Sequence, residues 1–498
     1  MEKYEYKVIF NDAGIEIRES EKNTWKPLLR QCMICSGLWC LYLMQGLYLG
    51  APTVIVAQIR KEANDTDAVT DEMSSWLSSM PVMSSLPPMF ILPWLCHVIG
   101  RKYTYSIVGL LTIIGYIIFY CSTDLYQVLI SQIFFGANTA ATNTFMPILI
   151  SEYTSPKYRG IFLTFKSASV FWGIWISNAI GTFFYWKNIA FIAFVCPFYM
   201  LTVFAWPESP YWLAMKGRYA ECAKSHRWLK GVNKNSEKEL AHLITFHKKS
   251  KNVTSTDNED AAFSCFSAAW STISSRPFYK PALTCVLLFA QYQFSGKFVI
   301  SIYAIEVLKN LTQDESAAYK MMLILDGITV FSMYVGCFLS RYFKRRTLML
   351  LFAGTGILFL YIISLYLFLI SLSIIRENHI VTILLLTIFS IAFGCGPMIL
   401  VTSIYGEIVP SRYQNPIMTM TCLYNISVLS ILLKLAPFMF KTLKMHGSFL
   451  FFAISSTAVI ILTYIHLPET KDKTVLEIEE YFSGDKTAEQ SVTLLQRN

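Results

Sequence analysis

The feature that most constrains this chain is a series of twelve long apolar runs. Six lie in the first half, at about 31–57, 75–98, 103–121, 126–150, 161–184 and 188–206, and six in the second half, at about 279–304, 318–340, 347–371, 379–402, 416–439 and 447–466. A helix that crosses a bilayer needs about 20 apolar residues. Because a backbone in lipid has to satisfy its own hydrogen bonds, the runs predict an all-α polytopic membrane protein with twelve transmembrane helices.

The composition excludes the other broad classes. Of the 498 residues, 54% are hydrophobic and only 15% are charged, whereas soluble domains carry about 25% charge. The net charge of +9 does not indicate nucleic acid, because Lys and Arg of membrane proteins collect in cytoplasmic loops. The expected partners are therefore membrane lipid and a small solute, with no nucleic acid.

Polar segments divide the runs into two sets of six. We predict a cytoplasmic N-terminal tail over 1–30, a six-helix bundle over 31–206, a cytoplasmic connector over 207–278, a second six-helix bundle over 279–467 and a cytoplasmic C-terminal tail over 468–498. The connector begins with Lys and Arg among Ala, Leu and Trp, a pattern typical of short amphipathic helices at a membrane face.

The distribution of basic residues predicts the orientation. Clusters such as Arg101-Lys102 and Lys344-Arg345-Arg346 fall in loops on one side, which should be the cytoplasm, so both termini lie inside at the plasma membrane. Opposite loops hold two glycosylation sequons, at Asn64 and Asn310. A third sequon, at Asn252, lies in the predicted cytoplasmic connector. The sequons alone therefore leave open whether Asn64 and Asn310 are glycosylated.

Three short motifs recur in both halves in the same order. Gly100-Arg101-Lys102 corresponds to Lys344-Arg345-Arg346, Glu152 to Glu407, and Pro207-Glu208 to Pro468-Glu469. The chain therefore has the internal repeat that is typical of transporters.

The repeated charges have a physical use at helix ends. Ion pairs formed across the two halves when the cytoplasmic side is shut, and broken when it opens, would bias alternating access. Anchoring of helix ends alone would explain the basic residues but not the matched acids. The candidates for gating are Arg101, Glu152, Arg159, Glu208, Arg345, Glu407, Arg412 and Glu469.

Several longer motifs carry a family resemblance. They are Pro207-Glu-Ser-Pro210-Tyr-Trp212-Leu213, Gln293-Phe-Ser-Gly296, Phe393-Gly-Cys-Gly396-Pro397, Asn425 and Pro468-Glu-Thr470. From about residue 29 to 480 the chain resembles the sugar-porter family of the major facilitator superfamily, especially its facilitative glucose and trehalose transporters. The resemblance implies two rocking domains around a central polar cavity and passive exchange of a hydroxylated solute.

The chain departs from the family at some motif positions. His97 and Arg341 stand where the family has acidic residues, and Gln132 and Tyr211 stand where it has Arg. We therefore expect fewer gating ion pairs than the family has.

The cavity positions diverge further. Relative to the family's sugar-binding side chains, Ser167 and Tyr292 replace Gln, and Phe298 replaces Asn. Three polar side chains remain as candidate hydrogen-bonding groups: Gln293, Thr329 and Asn425. Tyr292 and Phe298 either stack on a sugar ring or only pack against neighbouring helices, which is the commoner role of an aromatic residue in a helix. Loss of several donors should weaken or redirect sugar recognition, because selectivity for hydroxyls depends on buried partners.

Four charged residues fall inside apolar runs at five or more positions from either end: Lys166, Lys297, Asp326 and Lys434. Such a charge costs about 2.5–3.5 kcal/mol on insertion scales, so it normally lines water or finds a partner. Lys297 and Asp326 are candidates for an ion pair. Lys434 either extends its side chain to the outer surface of the membrane, without a further role, or has a function. The first run contains no acidic residue. Proton-coupled members of the resembled family carry an Asp there, so its absence favours uniport over symport.

These observations predict facilitative transport of a sugar, either a hexose or a trehalose-like disaccharide, by alternating access. One alternative is a carrier for another polar or charged solute, attracted by Lys166 or Lys297. Another is a sensor that resembles a transporter and binds solute without moving it. We expect no enzymatic activity, cofactor or metal, because the sequence shows no nucleophile–base pair, metal-ligand cluster or phosphate-binding loop.

Overall fold

A computed structural model describes residues 7–10, 16–19, 25–63, 68–233, 236–245, 275–312, 315–409, 414–471 and 481–482. A short antiparallel hairpin lies in the N-terminal segment. It consists of β1 (Lys7–Phe10) and β2 (Glu16–Glu19), with Lys7 opposite Glu19. The sequence analysis did not predict this hairpin. The rest of the described chain is helical or forms connecting turns.

The first half contains eight α-helices. They are α1 (Lys26–Glu62), α2 (Asp71–Met83), α3 (Leu86–Val98), α4 (Arg101–Cys121), α5 (Leu125–Asn143), α6 (Phe145–Tyr153), α7 (Pro156–Phe183) and α8 (Ile189–Met200). Short 3-10 segments, Trp186–Asn188 and Leu201–Ala205, flank α8. The connector contributes α9 (Pro210–Met215), α10 (Tyr219–Lys230) and α11 (236–245).

Within the described residues from 275 to 471, the second half contains nine α-helices. They are α12 (Arg276–Phe294), α13 (Lys297–Ile302), α14 (Ala304–Thr312), α15 (Glu315–Tyr342), α16 (Arg345–Ser371), α17 (His379–Cys395), α18 (Pro397–Ile408), α19 (Gln414–Thr442) and α20 (Lys444–His466).

The apolar runs form membrane-length helices, so the all-α multi-pass prediction is confirmed. Within the described ranges, ten helical stretches are long and apolar enough to cross a membrane, and eleven if α5 and α6, bent by 46°, form one span. The remaining run, predicted over 75–98, consists of two 13-residue helices, α2 and α3. It breaks at Ser84-Ser85, and α3 begins at Leu86 with Pro87 and Pro88 in its first turn. Because proline has no N–H group to donate, neither of them can continue the hydrogen bonding of α2, whereas both are tolerated in the first turn of a new helix.

Two other spans are interrupted near the middle of the molecule. Gly296 separates α12 from α13 and has a positive φ of +70°, a conformation that glycine adopts at little cost. Gly396 separates α17 from α18. Broken helices of this kind place backbone and side chains at a cavity rather than against lipid.

A glycine crossing holds α1 against α7. A Cβ atom on Gly46 would lie 2.0 Å from the carbonyl oxygen of Val170, and one on Gly173 would lie 2.2 Å from that of Leu43. The two backbones therefore approach closely enough that only glycine fits at both positions. Helices of the two halves also meet directly, α7 against α15 and α2 against α19.

The connector helix α10 packs onto the start of α1. Arg30 donates to the carbonyl oxygen of Trp228 at 2.8 Å, and Gln31 donates to that of Leu229 at 3.0 Å. These contacts extend the helical bundle beyond its spans at the end that carries the repeated motifs. We call this the motif end, defined by Arg101, Glu208, Arg345 and Glu469, and the opposite side the far end, defined by Thr53, Ser75, Ile302 and Lys434.

Candidate functional site

A cavity of about 890 Å³ lies between the two halves. Helices α1, α5, α6 and α7 line it from the first half, and α12, α13, α18 and α19 are among those that line it from the second. The volume falls within the range of about 300–1,000 Å³ that is typical of small-molecule sites. The cavity extends to the motif end, where Arg159, Arg345 and Glu407 contribute to its wall.

Three amide side chains form a chain of hydrogen bonds at this cavity. Gln293 donates to Asn425 at 2.6 Å, and Asn425 donates to Asn143 at 3.3 Å. Asn143 belongs to α5, so the chain joins the two halves. The Gln293 Oε1 atom is buried without a hydrogen-bond partner in the described protein. A buried acceptor without a partner costs about 1–3 kcal/mol, which a solute hydroxyl would recover by donating to it.

The other predicted solute contacts are mostly at the same cavity. Ser167, Tyr292 and Phe298 all line it, and the Ser167 hydroxyl is buried without a partner in the described ranges. The Tyr292 and Phe298 rings lie 6.2 Å apart, and Phe298 also meets Phe171 edge-on at 5.9 Å. Polar and aromatic groups therefore face the same space.

Thr329 lies elsewhere. It is fully buried in α15, is absent from the cavity wall, and donates to the carbonyl oxygen of Leu325 at 2.7 Å. A threonine in a helix satisfies its hydroxyl in this way without any solute. The structure therefore does not bring Thr329 to the candidate site.

The contribution of α1 and α5 was not predicted from the sequence. Five polar residues line the cavity from α1 and α5: Tyr42, Gln45, Thr139, Thr142 and Asn143. Gln45 and Asn143 are amides within apolar runs, which is a usable signal. The runs contain other polar residues, however, and only the packing shows which of them face the cavity.

The four intramembrane charges have different environments. Lys166 lines the cavity, and its Nζ atom lies 5.6 Å from the centre of the Tyr42 ring. Lys297 is only 3% exposed, lies outside the cavity wall and donates to Ser390 at 3.0 Å. Asp326 accepts a hydrogen bond from Asn178 at 2.7 Å.

The expected ion pair between Lys297 and Asp326 does not form. Their charged atoms are not within 4.0 Å of each other, and each instead bonds a neutral side chain. Asn178 links Asp326 to α7 instead. Lys434 is neither free nor extended into solvent, because its Nζ atom donates to Ser75 at 2.9 Å and lies 3.6 Å from the centre of the Trp76 ring. It holds α19 against α2 at the far end.

The gating candidates of the first half form one compact network. Arg101 pairs with Glu152 at 3.2 Å, and Ser209 donates to Glu152 at 2.7 Å. Glu208 accepts from the backbone N–H groups of Arg101 and Lys102 at 3.1 and 3.2 Å, at the start of α4. Burial raises the pKa of the Glu208 carboxyl, and these N–H groups oppose that effect.

The second half repeats this arrangement. Glu469 accepts from the backbone N–H groups of Arg345 and Arg346 at 3.0 and 3.2 Å, at the start of α16. Arg345 also pairs with Glu407. A carboxylate at a helix N-terminus satisfies free N–H groups and the helix dipole, so the sequence repeat corresponds to a repeated contact.

These contacts lie within each half, whereas the sequence analysis expected pairs between the halves. Arg159 donates to the carbonyl oxygen of Ser151 at 3.3 Å and borders the cavity. Arg412 and Asn64 lie outside the described residues. Asn310 belongs to α14 rather than to a loop.

The two ends of the cavity differ. At the far end the halves touch, because the Thr53 hydroxyl donates to the carbonyl oxygen of Ile302 and Trp175 donates to that of Leu323 at 3.0 Å. At the motif end charged residues of both halves face the cavity, and the pairs Arg101 with Glu152 and Arg345 with Glu407 each lie within one half. This conformation is therefore closed at the far end and accessible from the motif end.

Comparisons with known proteins give the family and the fold of the chain. The profile of a family described as "Sugar (and other) transporter" matches residues 23–482. The facilitated trehalose transporter Tret1 of Bombyx mori is 25% identical over 432 residues, covering 84% of this chain and 80% of the relative. The protein with the same description from Apis mellifera ligustica is 22% identical over 445 residues, covering 89% and 86%.

Solved structures with a similar fold are also transporters. The proton:xylose symporter XylE of the major facilitator superfamily, bound to 6-bromo-6-deoxy-D-glucose, aligns with a TM-score of 0.73 at 16% identity, covering 91% of this chain and 99% of that chain. Inward-open XylE from E. coli aligns with a TM-score of 0.67 at 14% identity, covering 91% and 99%. At these identities the likeness establishes the fold.

Proposed function

Because this chain belongs to the family of sugar and other transporters and has the major facilitator fold, we propose that it carries a sugar across the membrane by facilitated alternating access. The observation that carries the proposal is the hydrogen-bond chain from Gln293 through Asn425 to Asn143. It places amides from both halves at one cavity, so a solute held there would contact both moving parts.

The proposed substrate is a hexose or a trehalose-like disaccharide. Two relatives named trehalose transporters support the disaccharide. The buried, unpartnered acceptor of Gln293 and the hydroxyl of Ser167 would pair with sugar hydroxyls, and the rings of Tyr292 and Phe298 would cover an apolar sugar face. Because a site of this kind leaves its polar groups unpaired with the wrong solute, it favours hydroxylated ones.

The charges around the cavity support uniport. The segment of α1 from Cys32 to Ala57 contains no acidic residue. Among the described residues, Glu407 is the one carboxylate that lines the cavity, and it pairs with Arg345 at the motif end. A proton-coupled step would need an acid that binds and releases protons beside the solute, and this wall does not provide one.

We propose that the two bundles, over 31–206 and 279–467, rock against each other. In the present conformation the charges at the motif end pair within each half, and contacts such as Thr53 with Ile302 close the far end. In the opposite conformation the far-end contacts would break, and Arg159 and the other charged groups would bridge the halves at the motif end. Each conformation would thus have its own set of contacts, which alternating access requires.

The proposed location is the plasma membrane, with the motif end and both termini in the cytoplasm. The basic clusters at Arg101-Lys102 and Lys344-Arg345-Arg346 support this orientation. Epitope tags at the N-terminus and in the connector should be inaccessible to antibody in intact cells and accessible after permeabilisation. Labelling of either tag in intact cells would reject the orientation.

Counterflow in proteoliposomes tests the transport proposal. Vesicles loaded with unlabelled glucose or trehalose should take up the labelled sugar transiently, whereas protein-free vesicles should not. Binding of labelled sugar without exchange would instead identify a sensor. Exchange of neither sugar, with folded protein verified by its chromatographic profile, would reject sugar transport.

A further inference from the structure

We propose that the cavity accepts a sugar-like solute with an anionic group, and that Lys166 is the residue that binds this group. The inference rests on the proposed transport function and deepens it by naming a substrate class. It adds an electrostatic contact to the hydroxyl contacts already described.

Lys166 is placed to meet a solute directly. It precedes Ser167 on α7, and both residues line the same cavity as Gln293 and Asn425. Its Nζ atom lies 5.6 Å from the centre of the Tyr42 ring, and no carboxylate oxygen lies within 4.0 Å in the described part of the chain. The ammonium group is therefore at the solute cavity without an acidic partner there.

The neighbouring cysteine does not supply the missing negative charge. Cys422 interacts electrostatically with Lys166, but its Sγ atom donates a hydrogen bond to the carbonyl oxygen of Asn143 at 2.9 Å. A sulfur that donates is a thiol, which is neutral. The described wall therefore offers Lys166 no negatively charged partner.

Lys297 is a second lysine in the membrane region, and it has a hydrogen-bond partner in the protein. It is also embedded in the membrane region, yet it is walled off from the cavity and donates to Ser390 at 3.0 Å. A buried lysine needed only for packing can be satisfied in this way. Lys166 instead faces a space large enough for a solute.

The whole cavity wall has an excess of positive charge. Among its described lining residues, Glu407 is the one acid, and it pairs with Arg345. The other charged groups on the wall are all basic: Arg159, Lys166, Arg341 and Lys471. A cleft lined by charge of one sign and enclosed by low-dielectric walls focuses its field and concentrates counter-ions. Anions should therefore enter from the motif end and reach Lys166.

The chemistry of the site defines the ligand class. Amides and hydroxyls around Gln293 suit a polyhydroxylated body, and a single ammonium group suits one carboxylate or phosphate ester. D-glucuronate and D-glucose 6-phosphate combine these features and distinguish the two anionic groups, while D-glucose is the matched neutral compound.

The test compares exchange of these three compounds by the full-length protein in proteoliposomes, with the membrane potential clamped at zero. At least one anion should exchange, and it should inhibit glucose exchange. Lys166→Gln should lower anion exchange relative to glucose exchange by about tenfold or more, because it removes one member of a charge pair. Lys166→Arg keeps the charge and should retain most of the anion exchange.

Lys297→Gln is the control, since it removes a membrane-embedded lysine outside the cavity and should leave the ratio of anion to glucose exchange unchanged.

Glucose exchange without anion exchange or inhibition would overturn this inference and leave the proposed transport function intact. An equal loss of anion and glucose exchange in Lys166→Gln would also overturn it, because Lys166 would then have only a structural or conformational role. If none of the three compounds exchanges, this inference fails, and trehalose counterflow decides whether the proposed transport function fails as well. If Lys166→Gln does not fold, inhibition of wild-type glucose exchange by the anions decides the matter.

Discussion

The side-chain amide of Asn178 donates a 2.7 Å hydrogen bond to the Asp326 carboxylate, across the interface between α7 and α15. Asn178 is fully buried and Asp326 is 4% exposed. Trp175 makes a second contact from α7, donating to the carbonyl oxygen of Leu323 at 3.0 Å. These bonds hold the halves together away from the motif end, so their strength should influence how often the far end opens.

Asn178→Ala should increase the population that is open at the far end. A hydrogen bond to a charged group contributes about 1.5–3 kcal/mol, so its loss should change the ratio of the two conformations by roughly tenfold or more. Leu49 lines the cavity, and a cysteine placed there should react faster with an impermeant maleimide applied at the far end. Protein with only the native cysteines gives the background.

Thr182→Ala provides the matched control for Asn178→Ala. Its hydroxyl donates to the backbone carbonyl oxygen of Asn178 at 2.8 Å without a hydrogen bond to α15. Its labelling rate should equal that of the parent protein. Equal rates in Asn178→Ala and the parent would show that this bond does not control opening.

Gln293→Ala should reduce sugar exchange by tenfold or more. The substitution removes the free acceptor and also leaves Asn425 without its 2.6 Å partner, and each lost hydrogen bond costs about 0.5–1.5 kcal/mol or more when a buried group remains unpaired. Initial rates of glucose and trehalose counterflow measure the effect.

Gln291→Ala is the control, because Gln291 is equally buried on the same helix but bonds Ser456 outside the cavity wall. It should lower stability with little effect on half-saturation, and similar exchange by the two variants would remove Gln293 from the site.

Gly100→Ala should destabilise the motif end. Gly100 has a φ of +106°, and a Cβ atom there would lie 2.5 Å from Oε2 of Glu208. Strain at positive φ costs about 1 kcal/mol or more, and displacement of Glu208 would also weaken its bonds to the start of α4. Thermal unfolding in detergent should show an apparent melting temperature lower by a few degrees. Gly354→Ala, where a Cβ atom meets nothing within 4 Å, should not lower it.

His226 should make stability depend on pH. It is fully buried in α10, and burial lowers its pKa to about 4, with the nearby Lys230 contributing in the same direction. The pKa of His226 in the folded protein lies below the value of about 6.5 in the unfolded chain. The contribution of the neutral imidazole to folding stability is therefore present above pH 6.5 and is lost as the pH falls toward 4. The full effect is at most about 3 kcal/mol. Melting temperatures measured from pH 7.5 to 4.5 should fall less steeply in His226→Gln, and parallel curves would contradict the assignment.

The fold could be predicted from the sequence because long apolar runs have few structural solutions in a bilayer. The repeated motifs were equally informative, since Glu208 and Glu469 occupy equivalent positions at the starts of α4 and α16. Hydrogen bonding within a helix depends on residues that are close in sequence. The carboxylate contacts at the starts of α4 and α16 join residues 107 and 124 positions apart, and they were visible in the sequence only because the motifs recur in both halves.

Tertiary packing decided which polar residues serve the cavity. Gln293 and Thr329 were equal candidates in the sequence, yet only Gln293 reaches the cavity. Lys166 and Lys297 looked alike, yet one faces the cavity and the other bonds Ser390. A spanning helix is apolar toward lipid and also toward its neighbours, so its pattern does not identify the side that faces the cavity. That side is fixed by how the helices of the two halves pack together, a relation between residues that lie far apart in the chain.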